Sequence, residues 1–255
     1  MKSSSNWLAR GFACSTVRLA AVAAMAAPFL SATTLIAIWS PGRLLIGADS
    51  AVITSMPDVV GTGCKISQDG STFFAFSGLV EDKTVGYNVA SLARQATEAP
   101  GALPQRMEQF VNLVNDPLAR AVSTLKNDSP DQYAYLQQNH PALQAIFAEQ
   151  EPGAPQLGVV AFAVGPDGML SHYTRMVAAG DDGRGPRIIY AGKQDQIRAY
   201  LNTHHDWFLG DQAGLIRSLI QSEANTSKGE VGGPIDILSV EPNNSYWVQK
   251  KASCP

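Results

Sequence analysis

Histidine is scarce in this chain of 255 residues: there are four, two of them adjacent at His204 and His205. None stands in a Ser-His-Asp or Cys-His pattern. Adjacent side chains point in different directions, so neither a histidine-based triad nor a paired-histidine zinc site is expected. Charge is sparse as well, at 16% of residues with a formal net charge of −3, and no long Lys/Arg run occurs. That removes the basic field on which nucleic-acid binding relies. No Gly-x-Ser-x-Gly is present, and Ser123-Thr124-Leu125-Lys126 matches Ser-x-x-Lys without any Lys-Thr-Gly partner. It reads as a helix end. No Gly-rich phosphate loop follows a strand, no repeat or low-complexity tract occurs, and no motif calls for a cofactor. Asp181-Asp182-Gly183 reads as a solvated loop rather than a cation site.

Hydrophobic residues make up 45% of the chain, ample for the core of one large domain. Residues 1–32 stand apart. They carry Lys2, Arg10 and Arg18 and no acid, then the apolar run Leu19 to Leu30, then Ser31-Ala32. A basic start, a short apolar run and a small exit residue describe a signal peptide. The run is shorter than the roughly 20 residues of a membrane-crossing helix, so no stable insertion is expected after its removal. Ala32 suits the last position before a cut, with Ala24-Met25-Ala26 as an alternative site. The leader is therefore read as a signal peptide, placing the protein outside the cell or in the periplasm, or else as a propeptide of a cytoplasmic protein. Of the three cysteines, Cys14 lies in the leader, leaving Cys64 and Cys254. One disulfide, or one buried and one free thiol, fit this pair equally well.

Beyond the leader, Leu35 to Trp39 reads as a strand, Pro41-Gly42 as a turn and Arg43 to Ala48 as a second strand. A short strand is expected around Cys64-Lys65-Ile66, and Asp69-Gly70 turns into Phe73 to Phe76. Helical spacing follows: Val85, Val89, Leu92 and Ala96, then Met107 through Leu125 with a kink near Pro117. Residues 127–156 are polar and read as a surface insertion with a short helix around Leu143 to Phe147. Strands are expected at Leu157 to Val164, Met169 to Met176 and Arg187 to Tyr190. Helices follow at Gln194 to Leu201 and Asp211 to Ala224, and strands close the chain at Ile235 to Val240 and Tyr246 to Gln249. Segregated blocks of strands and helix pairs predict an α+β fold, two antiparallel sheets packed together with helices outside.

Thr33 is followed by Asp49 sixteen positions on, in Gly47-Ala48-Asp49-Ser50, and Lys65 comes sixteen beyond that, in Cys64-Lys65-Ile66. With Thr33-Thr34-Leu35-Ile36-Ala37-Ile38, this opening resembles that of a proteasome β-type subunit of the Ntn hydrolase superfamily. The likeness is close over these segments and looser over residues 33–250. It implies a four-layer αββα sandwich, a mature chain beginning at Thr33, and threonine-type hydrolysis of peptides or other amides. It also implies homo-oligomeric, ring-like assembly. Gly78, in Phe76-Ser77-Gly78, resembles the glycine that faces the reacting carbonyl in that family.

The chemistry is coherent on its own terms. A threonine hydroxyl needs a base within reach. A free α-amine, with a reference pKa of roughly 7.7–8.0, is partly neutral near pH 7 and able to take the hydroxyl proton. Lys65 as a nearby cation favours the neutral amine and the developing alkoxide, and Asp49 holds Lys65. A tetrahedral oxyanion also needs backbone N–H donors, and the resemblance implies Gly78 as one. Thr34 as the nucleophile puts both partners out of step. Three departures from the family pattern stand out. Ala32 replaces the usual glycine, Tyr190 to Gln194 lacks the family's serine, and Val231 and Lys228 stand where a serine and an aspartate are usual. They leave two alternatives open: a non-catalytic binding or assembly protein of the same fold, and an amidase for small non-peptide amides.

Overall fold

The computed structural model describes residues 29–31, 33–40, 42–53, 60–138, 140–177, 186–227, 230–252 and 254. Most of the leader, Ala32, the Asp181-Asp182-Gly183 loop and Lys228 lie outside the described residues. The chain is α+β, with two main antiparallel sheets and five α-helices among those residues.

One sheet is built on β2 (Thr34–Ser40), β3 (Arg43–Ala48), β12 (Arg187–Gly192), β13 (Asp236–Glu241) and β14 (Asn244–Gln249), in the order β12-β2-β3-β13-β14. The other has the path β1-β7-β9-β10-β11, with β6 (Ile66–Asp69) and β8 (Tyr87–Asn88) also paired to β7. Its path strands are β1 (Phe29–Ser31), β7 (Thr72–Asp82), β9 (Pro141–Glu149), β10 (Gln156–Val164) and β11 (Leu170–Met176). A two-stranded ribbon, β4 (Ala51–Ile53) with β5 (Val60–Thr62), stands apart from both.

Side-chain alternation along the strands assigns the layers. On β2, Leu35, Ala37 and Trp39 meet Phe73 and Ala75 of β7 and Ile146 and Ala148 of β9 between the two sheets. The intervening Ile36 and Ile38 point the other way. They pack on Ile197 of α4 (Asp195–Thr203) and on Ile216, Leu219 and Ile220 of α5 (Gln212–Thr226). On the far side, Phe74, Phe76 and Phe147 pack against α1 (Val89–Thr97), α2 (Leu103–Asp128) and α3 (Pro130–Gln137). Phe110 of α2 meets Phe147 edge-on, with ring centroids 4.9 Å apart. Each such side chain contributes about 1.5–3 kcal/mol on burial, so three stacked interfaces account for a rigid frame. Among the described residues, no helix is long and apolar enough to cross a membrane.

The expected strands and helices fall close to their predicted places, with three corrections. Leu143 to Phe147 is not a helix: it lies in β9, which pairs β7 on one side and β10 on the other. Residues 127–156 are accordingly not a surface insertion, since after the end of α2 and α3 they supply a central strand whose Leu143, Ile146 and Phe147 are fully buried. Cys64 and Lys65 also precede a strand instead of lying in it, because β6 starts at Ile66. Pro117 sits inside one continuous assigned helix, α2.

Candidate active site

Two successive hairpins account for the spacing of Thr33, Asp49 and Lys65. Strands β2 and β3 pair from Ser40↔Arg43 at the turn to Leu35↔Ala48. The Asp49 N–H then donates to the Thr34 carbonyl at 3.3 Å, placing Asp49 across from Thr34 and beside Thr33. The ribbon β4–β5 turns the chain back again and closes where the Gly63 N–H donates to the Ser50 carbonyl at 2.9 Å. Lys65 therefore returns to the same end of the sheet, and its Nζ donates to Thr33 Oγ1 at 2.5 Å. Thr33 is fully buried with its N-terminal segment in place.

Asp49 is fully buried and acts as an acceptor on both oxygens. Oδ1 receives the Thr34 N–H at 3.0 Å, and Oδ2 receives those of Ala51 and Gly232, each at 3.1 Å. Burial pushes its pKa above the ordinary value, while Lys65 and the three N–H groups oppose that push. With every contact donated to it, the carboxylate form is the one this cradle fits. Lys65 is held down to about 8, chiefly by burial; Asp49 pulls it up and the charge of Lys251 presses it further down. A lysine poised near neutrality against a threonine hydroxyl is an uncommon arrangement for a purely structural residue.

The opposite wall comes from the end of β12. Lys193 N–H donates to the Thr33 carbonyl at 3.0 Å, and Thr34 Oγ1 donates to the Lys193 carbonyl at 3.1 Å. Thr34 is thus occupied in holding the backbone, whereas the Thr33 hydroxyl is the one that receives Lys65. Gly192 (φ +79°) lies so close that an added Cβ would fall on the Thr33 carbonyl oxygen and stand 2.6 Å from Ser77 Oγ. Its N–H donates to Gln144 Oε1 at 3.1 Å, linking the two sheets next to Thr33. Gly192→Ala is expected to cost more than about 2 kcal/mol through strain and backbone collision. Thermal unfolding would register it, and a variant as stable as the parent would contradict this packing.

Gly78 lies in β7 with φ +101°, paired with Ser31 of β1 on one side and Leu143 of β9 on the other. It therefore borders the segment that leads into Thr33. Of the family-pattern departures, Val231 is buried against the α5 side of the sheet, whereas its neighbour Gly232 serves Asp49 through its N–H and accepts the Ser50 and Ala51 N–H groups at 3.0 Å. Lys193 bridges to Glu230 at 2.7 Å, strapping the β12 turn to this loop.

No family model matches the chain, and no curated protein matches it.

The structure brings Thr33, Asp49 and Lys65 together and sets Gly78 on the strand beside them. Sequence reasoning misses Gln144, because the residues of β9 read as a helix, and Lys251, which follows the last strand. Lys251 is 8% exposed; its Nζ donates to Ser50 Oγ at 2.6 Å and to the Gly63 carbonyl, and lies 3.5 Å from Asp236 Oδ2. Cys64 and Cys254 are joined in a disulfide, Cα–Cα 5.6 Å. This resolves the two thiol readings in favour of the bridge.

Proposed function

We propose that this chain is an N-terminal-threonine amide hydrolase of the Ntn type, built as a helix-sheet-sheet-helix sandwich and acting on peptides. The observation that carries the reading is the contact of the Lys65 ammonium with Thr33 Oγ1 beside the buried Asp49.

Removal of residues 1–32 frees the Thr33 amine. That amine takes the hydroxyl proton as Oγ attacks the carbonyl carbon of the scissile amide. The developing oxyanion is met by backbone N–H, for which Gly78, opposite Ser31 on β7, is the candidate. The C–N bond then breaks, the leaving amine takes the proton from the Thr33 ammonium, and an ester remains on Oγ. Water adds to that ester by the same proton route and regenerates the hydroxyl. Lys65, as a cation, keeps the amine neutral and stabilises the alkoxide, and Asp49 keeps Lys65 in place.

The pairing of Phe29–Ser31 with β7, Ser31 opposite Gly78, supports peptides over small amides. It shows that an extended backbone fits this edge immediately ahead of Thr33. The Cys64–Cys254 bridge supports an oxidising compartment, in line with an export leader.

Intact mass and N-terminal sequencing of the mature protein, followed by labelling with an acylating β-lactone, test the reading. The expected result is a chain that begins at Thr33 and carries one adduct on that residue, with turnover of short peptide amides. A mature chain that retains its leader or starts at Ala27, or one that begins at Thr33 and takes no label, would overturn it. The latter outcome would favour the non-catalytic alternative.

A further inference from the structure

The C-terminal tail reaches back across the molecule and grips the loop that carries Lys65 at two consecutive residues. Its first grip is Lys251. A buried ammonium has three N–H donors to satisfy, and Lys251 finds three acceptors on three separate segments: Ser50 Oγ, the Gly63 carbonyl and Asp236 Oδ2. Ser50 adjoins Asp49, and Gly63 lies two residues before Lys65. The Lys251 backbone N–H also donates to Asp236 Oδ1 at 2.8 Å, which fixes the tail against β13. The second grip is covalent: Cys254 is bonded to Cys64, the residue immediately before Lys65.

Building on the hydrolase reading, we propose that Lys251 and the Cys64–Cys254 bridge form a positioning element of the active site, holding the Asp49 and Lys65 loops in register so that Lys65 Nζ meets Thr33 Oγ1. An ion pair needed only for stability would require Asp236 alone. Lys251 instead spans the two loops that deliver Asp49 and Lys65, and its charge acts on Lys65. Among the described residues, the charged groups that act on Lys65 include Asp49, which raises its pKa, and Lys251, which lowers it. Both are therefore part of what sets the protonation of the lysine beside the nucleophile.

The test uses the mature protein with two readouts. One is the rate of β-lactone acylation at Thr33. The other is the pH midpoint of Lys65 acetylation by acetic anhydride, followed by peptide mass spectrometry and independent of catalysis. Lys251→Met is expected to move the Lys65 midpoint up from about 8 and to slow acylation on the order of tenfold to a hundredfold, the effect of a small misplacement of reacting groups. Lys251→Arg, which keeps the charge, is expected to recover most of the midpoint. Where Lys251→Met does not fold, Asp236→Asn combined with Lys251→Met removes the stranded carboxylate, and Cys254→Ser tests the second grip separately with the same expected slowing.

An acylation rate within twofold of the parent, or in Lys251→Met an unmoved Lys65 midpoint, would overturn the proposal. If Thr33 takes no label in the parent, the hydrolase reading fails. The positioning role is then decided by the acetylation midpoint alone: a shift in Lys251→Met retains it and no shift removes it.

Discussion

Thr33→Ala is expected to lower amide hydrolysis by on the order of 10⁴-fold or more, the scale seen when a nucleophile is deleted from a concerted site, while leaving the melting temperature close to that of the parent. The fold should survive because β2 is held by residues that the substitution does not touch. Leu35 to Trp39 lie in the sheet-to-sheet and sheet-to-helix cores. The Thr33 carbonyl keeps its bond from Lys193 N–H, and the Thr34 N–H keeps Asp49. What is lost is Oγ1, the group that receives Lys65. Peptide turnover and β-lactone labelling, measured beside a thermal melt, separate lost chemistry from lost structure. Activity within tenfold of the parent would assign the reaction to another residue.

The second large effect is expected at Lys65. Lys65→Met keeps most of the side-chain volume and removes the cation, and should reduce turnover by about 10²–10³-fold, the range for removing one stabilising donor from a developing charge. Its pH signature is more telling than its size. Lys65 loses its proton at about 8, so the parent should lose activity as pH rises through that value, whereas the acid side reports protonation of the Thr33 amine. In Lys65→Met the descending limb near pH 8 should vanish. The amine, no longer beside a cation, should also hold its proton to higher pH, shifting the acid limb upward. Stability gives an independent check. Because burial lowers the folded-state value of Lys65 from 10.5 to about 8, the unfolded chain binds more protons between those values. The parent should therefore gain stability from Lys65 as pH rises across that window. The variant should lack this gain. A parent profile that keeps rising above pH 8 would instead make neutral Lys65 the base.

The parts of the fold legible from sequence are those in which one periodicity dominates. Strands β2 and β3 are short apolar runs rich in Ile and Leu and separated by Pro41-Gly42, and α2 repeats its apolar residues on one face from Met107 to Leu125. Strand β9 was hidden for a physical reason. It is central and buried on both sides, so Ala142 to Ala148 lacks polar alternation, and its Ala, Leu and Gln favour helix when context is ignored. Only pairing to β7 and β10 overrides that preference.

The candidate site divides in the same way. Thr33, Asp49 and Lys65 were legible because two hairpins convert a fixed spacing along the chain into adjacency in space. Lys251 and Gln144 reach the site through long-range packing, and nothing near them in the sequence signals it. From sequence alone the disulfide is one of two equal readings of Cys64 and Cys254, since pairing over a separation of 190 residues depends on where the tail docks.

The strand Phe29–Ser31 lies on the edge of β7 as part of the same chain. A tethered segment acts as its own competitor at an effective concentration in the millimolar range or above. No dissolved peptide present at micromolar levels displaces such an occupant. Under the proposed function, cleavage after Ala32 would end the advantage at once, since the released fragment would dilute to the concentration of the protein itself. On the proposed reading, latency and activation would thereby be tied to a single bond, and the hydrolase would start with the β7 edge that Phe29–Ser31 had just vacated.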